Sequence, residues 1–176
     1  MSESLWQVIL TGLPGSGKST VGRALAERIE WDFVDLDAEI ARKEGRSVSQ
    51  IFAENGEERF RDLEALATSE LRDRQKLIIA PGGGWVTRPA TVSLLRPPAT
   101  LVYLRVGPEV AAERIGRESD ERPLLSGTNV RARLDSLLQD REGAYQAADL
   151  TVNAELVVDE VVTQCMAWLV SEGMVP

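Results

Sequence analysis

A chain of 176 residues, 43% hydrophobic and 27% charged, has the make-up of an ordinary globular protein with one substantial core, and its length gives no reason for a second domain. A formal charge of −8 sets the whole-molecule field against nucleic acid and anionic membrane, and no run approaches the roughly 18 apolar residues needed to span a bilayer. With no histidine, imidazole acid/base chemistry, His-ligated metals and Ser-His triads are excluded, so any catalysis rests on carboxylates, Lys, Arg, backbone amides or an oxygen-held cation.

The first β-rich run, "LWQVIL" (5 to 10), leads into "GLPGSGKST", Gly12 to Thr20, and then into Val21, Ala24, Leu25 and Ile29 at helical spacing. Strand, loop and helix in that order give G-x-x-x-x-G-K-[ST] the setting its mechanism requires. The backbone N–H groups of Gly15, Ser16 and Gly17 converge on phosphates, and the helix N-terminus that Thr20 helps to open adds a favourable dipole. Lys18 reaches the β/γ-phosphates and the Ser19 hydroxyl ligates Mg²⁺. ATP or GTP with Mg²⁺ is the expected ligand. No N-K-x-D guanine motif is present, and the D-x-x-G at Asp140 to Gly143 lies in a helical pattern, which argues against a GTPase. Small size argues against a motor, leaving a small-molecule kinase.

The second run, "WDFVDL" (31 to 36), ends in Asp35 and Asp37, which strand alternation places on one face. Two acids beside a phosphate loop can divide labour: one orients water on Mg²⁺ and the other accepts a hydrogen bond from a substrate hydroxyl. One of them can equally cap the following "AEIARKEG" helix. Phe60, Leu63, Ala67 and Leu71 mark a further helix, on which "ERFRDLE" sets Arg61 three residues before Glu64. By itself that spacing describes a solvated ion pair. The third run, "LIIA" (77 to 80), meets Gly82, Gly83 and Gly84, whose backbone N–H groups no side chain shields.

"TLVYLRV" (100 to 106) and "DLTV" (149 to 152) complete five expected strands, with helical patterns at 108 to 115, 129 to 147 and 156 to 170. Alternation of this kind indicates an α/β fold, a parallel sheet flanked by helices with ligands at the carboxyl ends of its strands. The segment from 116 to 129, "GRESDERPLLSGTN", is charged and aperiodic, as a lid over a ligand site would be. Cys165, the sole cysteine, sits in an apolar helical pattern and reads as a buried hydrophobe. Together with an N-terminal stretch lacking a basic n-region or an Arg-rich presequence, it points to the cytoplasm.

Taken in order, "GLPGSGKST", "DLD", "FRDLE", "GGG", "RPLL" and "REGAY" resemble the shikimate kinase family over nearly the whole chain. The resemblance implies a P-loop NTPase fold of the nucleoside-monophosphate-kinase type, five parallel strands and a single domain with a lid. It also implies an ATP-dependent transfer of the γ-phosphate to the 3-hydroxyl of shikimate, on the route to chorismate and the aromatic amino acids. Carried over by position, it assigns Asp37 to the substrate hydroxyls and the acceptor proton, and Asp35 with Ser19 to Mg²⁺. Arg61 and Arg141 would hold the substrate carboxylate with Glu64 fixing Arg61, while Gly82 to Gly84 line the site. Arg122 would reach the transferring phosphate together with Lys18, and Arg114 would stack on adenine, with Arg117 as competitor. The implied protein is a monomer binding a small molecule, not nucleic acid or membrane. Two departures stand out: Pro81 before the glycines and Trp85 after them. A gluconate-type kinase of the same fold and a non-catalytic nucleotide-binding relative are the competing readings.

Overall fold

The computed structural model describes residues 6–117 and 129–176. The elements run β1 Gln7–Thr11, α1 Lys18–Ile29, β2 Asp32–Asp35, α2 Leu36–Glu44, α3 Val48–Ser69, β3 Leu77–Ala80, a 3₁₀ turn Trp85–Thr87, α4 Pro89–Val92, β4 Thr100–Arg105, α5 Pro108–Arg117, α6 Val130–Tyr145, β5 Leu150–Asn153 and α7 Val158–Ser171. The five strands form one parallel sheet in the order β2-β3-β1-β4-β5. From β1 the chain moves to one side of the sheet, and after β3 it crosses to the other. The carboxyl end of β1 is therefore the switch point at which an open α/β sheet leaves a crevice.

Burial follows from this order. β1 and β3 are buried along their whole length and β4 nearly so, which is why they read as continuous apolar runs, while the edge strands β2 and β5 are partly exposed. Helix α1 packs on α7, β2 and β3, and α5 packs on α6. Gln7, though polar, is buried in β1 because its side-chain amide donates to Leu71 O at 2.7 Å and Arg74 O at 2.6 Å, satisfying carbonyls just past the end of α3. Cys165 is buried, as expected, and burial pushes its thiol up to about 11.

Two local expectations change. β2 stops at Asp35 because that side chain caps α2, accepting from Ala38 N at 3.1 Å. Asp37 consequently lies in the first turn of α2, and helix geometry rather than strand alternation relates the two acids. Helix α3 begins at Val48, well before the apolar pattern, on a Ser47/Gln50 capping box. It continues through a break at Gly56, whose φ of 80° and ψ of 174° are not helical. The glycine segment leads into a 3₁₀ turn and α4. Residues 116 and 117 end α5 and Asn129 caps α6; Arg122 and most of the expected lid, 118–128, lie outside the described residues.

Candidate active site

A cleft of about 940 Å³ opens at the carboxyl end of the sheet. Its phosphate end is the loop after β1. Gly15 has a φ of 81°, and a methyl group there would stand 2.6 Å from Ala111 O, so the turn requires glycine for backbone shape and close approach alike. Gly17, also left-handed, precedes α1 as an N-cap without a side-chain hydrogen bond, and the first turn of α1 carries no acid. Its amides are left to an anion. Lys18 Nζ donates to Gly12 O and Leu13 O, both at 3.0 Å, and so lies folded along the loop. Ser16 is buried, and Gly15, Ser16, Gly17, Lys18, Ser19 and Thr20 all line the cleft. Ser19 Oγ donates to Asp35 Oδ2 at 2.5 Å, bringing two hard oxygen donors together at the end of β2.

The acceptor end is assembled from four elements. Asp37 comes from α2, Arg61 from α3, Gly82 to Gly84 from the turn after β3, and Arg141 from α6. Their closeness is measured by what an added methyl group would meet. On Gly82 it would be 3.3 Å from Asp37 Oδ1, and on Gly83 3.1 Å from Arg141 Nη1. On Gly84 it would be 2.6 Å from Arg61 Nη2 and 3.2 Å from Arg141 Nη2. Two guanidinium groups therefore converge on Gly84, and a carboxylate stands by Gly82. Phe52 and Phe60, in contact at 4.9 Å between ring centroids, add an apolar wall.

Each arginine is held from behind. Arg61 Nη1 donates to Glu64 Oε2 at 3.0 Å with both side chains almost wholly buried, so this is no solvated surface pair. Burial, reinforced by Asp37, lifts the Glu64 carboxyl to about 7 against the opposing pull of Arg61. Burial pulls the Arg61 guanidinium down, but Glu64 and then Glu57 outweigh it and the net shift is upward. Arg141 is buried beside Tyr145, whose hydroxyl donates to Gly83 O at 3.0 Å and whose pKa is raised by burial against the influence of Arg141. Tyr145 in turn stacks on Tyr103 at 5.1 Å, tying α6 to β4.

Of the two departures noted in the sequence, Pro81 lines the cleft and Trp85 packs behind it. Pro81 lies beyond the last paired residue of β3, Ala80, and breaks no ladder bond. Trp85 is buried and its indole N–H donates at 3.0 Å to Thr68 Oγ1, which donates to Glu64 O at 2.6 Å. It thus fastens the glycine turn to the helix carrying Arg61 and Glu64.

At the far end of the cleft Arg114 donates to Ala154 O at 2.8 Å and Gly15 O at 3.4 Å, beside Glu155, Leu156 and Val157. Arg117 is exposed at the end of α5 and outside the cleft lining. Tyr145 was met only as the last residue of "REGAY", and the residues that sequence reading missed are Phe52, Thr68 and the 154–158 segment. Of these only Phe52 had an available signal, since Ser47 and Gln50 mark the start of the helix that carries it.

Residues 14–170 match the family model described as "Shikimate kinase". The chain is 39% identical over 163 residues to the shikimate kinase of Pelotomaculum thermopropionicum, covering 92% of this chain and 94% of that one. It is 47% identical over 146 residues to that of Desulforudis audaxviator, covering 83% and 76%. Among solved structures, a shikimate kinase from Acinetobacter baumannii in complex with shikimate superposes with a TM-score of 0.90 at 34% identity, covering 97% of this chain and 96% of that one. A gluconokinase from Sinorhizobium meliloti shares the fold alone, with a TM-score of 0.64 at 21% identity and coverage of 95% and 93%. With its parallel five-stranded sheet, its phosphate loop and these relatives, the chain belongs to the shikimate kinase family.

Proposed function

We propose that this chain binds ATP at the phosphate loop and shikimate at the acceptor end of the same cleft, and transfers the γ-phosphate to the 3-hydroxyl. The carrying observation is the convergence of Arg61 and Arg141 on Gly84, with Asp37 beside Gly82. Planar, permanently charged guanidinium forks match a carboxylate, and a carboxylate facing a hydroxyl can accept its proton as the oxygen attacks phosphorus. The binding arginines hold the substrate's acid group, Asp37 orients and deprotonates its hydroxyl, and Lys18 with the amides of Gly15 to Gly17 holds the phosphates. Positioning Arg114 against adenine is consistent with its place in the cleft, and Arg122 is assigned to the transferring phosphate by resemblance. Ser19 and Asp35 fit Mg²⁺, a hard cation that keeps several waters and takes phosphate oxygens alongside one or two protein oxygens. Bound there, it would neutralise phosphate charge.

In this reading the protein acts as a cytoplasmic monomer on a small molecule, without nucleic acid or membrane; among the described residues no helix is long and apolar enough to cross a membrane. The test is ADP release with ATP and either shikimate or gluconate. Shikimate is expected to support turnover at least about a hundredfold faster per unit concentration, since an acceptor that misplaces its hydroxyl loses the orientation term. Equal or greater turnover of gluconate contradicts the assignment, and tight nucleotide binding with no turnover of either acid would mark a binding relative.

A further inference from the structure

Arg61 is gripped by two carboxylates of different character. Glu64 is buried and takes Nη1, behind the site. Glu57 is half exposed and takes Nη2 at 3.1 Å. Nη2 is also the nitrogen standing 2.6 Å from where a methyl on Gly84 would be, that is, the edge turned toward the space between the two guanidinium groups. A carboxylate thus sits on an edge of Arg61 that an acid substrate would need. Glu57 is the residue immediately after the Gly56 break in α3, so it opens the second half of that helix, and its side chain reaches Arg61 one turn on. Its neighbour Glu58 points elsewhere and pairs with Arg88 at 3.2 Å.

We propose that Glu57 is an internal competitor for the substrate carboxylate: it occupies Arg61 Nη2 in the empty site and is displaced when the acid binds. The inference rests on Arg61 being a carboxylate holder. A guanidinium has five N–H donors, but its Nη2 edge cannot give the same in-plane hydrogens to two carboxylates at once. Half exposure lets Glu57 swing into water without the desolvation cost that would keep Glu64 in place. Glu57 thereby keeps the buried cation paired when no substrate is present and sets a ceiling on affinity for the acid, making it a positioning residue that acts through Arg61.

The sign of the effect separates this role from ordinary support. Glu57→Gln should lower the KM for shikimate about two- to fivefold, the size expected from removing one partly exposed competing pair, with a smaller change in kcat. Glu58→Gln removes the same charge one residue away and should change that KM by less. In an Arg61→Ala background Glu57→Gln should have no effect on KM. A Glu57→Gln KM equal to or above that of the unmodified protein, or an equal fall in Glu58→Gln, overturns the proposal. If Arg61→Ala alone leaves the KM unchanged, the carboxylate-holding reading of Arg61 fails instead. A raised KM in Arg61→Ala with no fall in Glu57→Gln rejects the competitor role by itself.

Discussion

The two ends of the cleft are built on different principles. The phosphate end is one contiguous stretch, Gly12 to Thr20, whose recognition groups are mostly backbone amides fixed by glycine conformations and a helix terminus. The acceptor end gathers groups from α2, α3, α6 and the turn after β3, where Arg61 is held from behind by Glu64 and the glycine turn by Tyr145 and by the Trp85–Thr68 pair. A loop made of backbone tolerates little change in shape but needs few supports. A site made of distant side chains depends on its scaffolding, so mutations behind it should be felt in substrate binding rather than in phosphate chemistry.

The strongest way to break this contrast is at the phosphate end. Lys18→Ala should fold normally, because its side chain lies on the loop outside the core, yet lose at least about a thousandfold in kcat as charge on the transferring group goes uncompensated. Near-normal kcat in the folded variant would remove Lys18 from the chemistry.

Behind the acceptor end, Glu64 should make stability depend on pH. Its folded-state value, about 7, lies above the ordinary carboxylate value, so its contribution is fully present below about pH 4.3 and is lost as pH rises through 7. Relative to Glu64→Gln, the unmodified protein should therefore lose about 3 kcal/mol of stability between pH 4.5 and 8, read from denaturant midpoints at each pH. A gap that stays constant with pH would mean that folding does not raise the Glu64 carboxyl above its ordinary value.

Gly84→Ala sharpens the comparison from the front of the site. The methyl would press on Arg61 Nη2 at 2.6 Å and Arg141 Nη2 at 3.2 Å, so KM for shikimate should rise about tenfold while KM for ATP holds. Equal changes in both would show that the two ends are not separable. The smallest effect is expected from Thr68→Val, which leaves the buried Trp85 N–H without its acceptor: about 1 kcal/mol of stability, with Thr68→Ser restoring it.

The same contrast explains how much could be read from the sequence. The phosphate loop, the five strands and the main helices were legible because glycine spacing, apolar runs and helical periodicity are local signals. Asp35 and Asp37 were legible as two acids beside the phosphate loop, but their geometry was not, since the strand stops where Asp35 caps α2. The Arg61–Glu64 spacing taken alone described a surface pair. Only the packing of α3 in the fold buries it. Tyr145 behind Gly83 and Trp85 on Thr68 join residues 62 and 17 positions apart, and nothing local in the chain announces such pairings.

The central claim, that two arginines flanking Gly84 recognise a carboxylate, is tested most directly by changing the acid rather than the protein. ADP release should be measured with shikimate and with its neutral carboxamide, in the unmodified protein and in the Arg61→Ala/Arg141→Ala double variant. The unmodified protein should prefer the acid by about a hundredfold or more in kcat/KM, chiefly through KM, and the double variant should lose most of that preference. Equal use of acid and amide by the unmodified protein, or an undiminished preference in the double variant, would contradict the account.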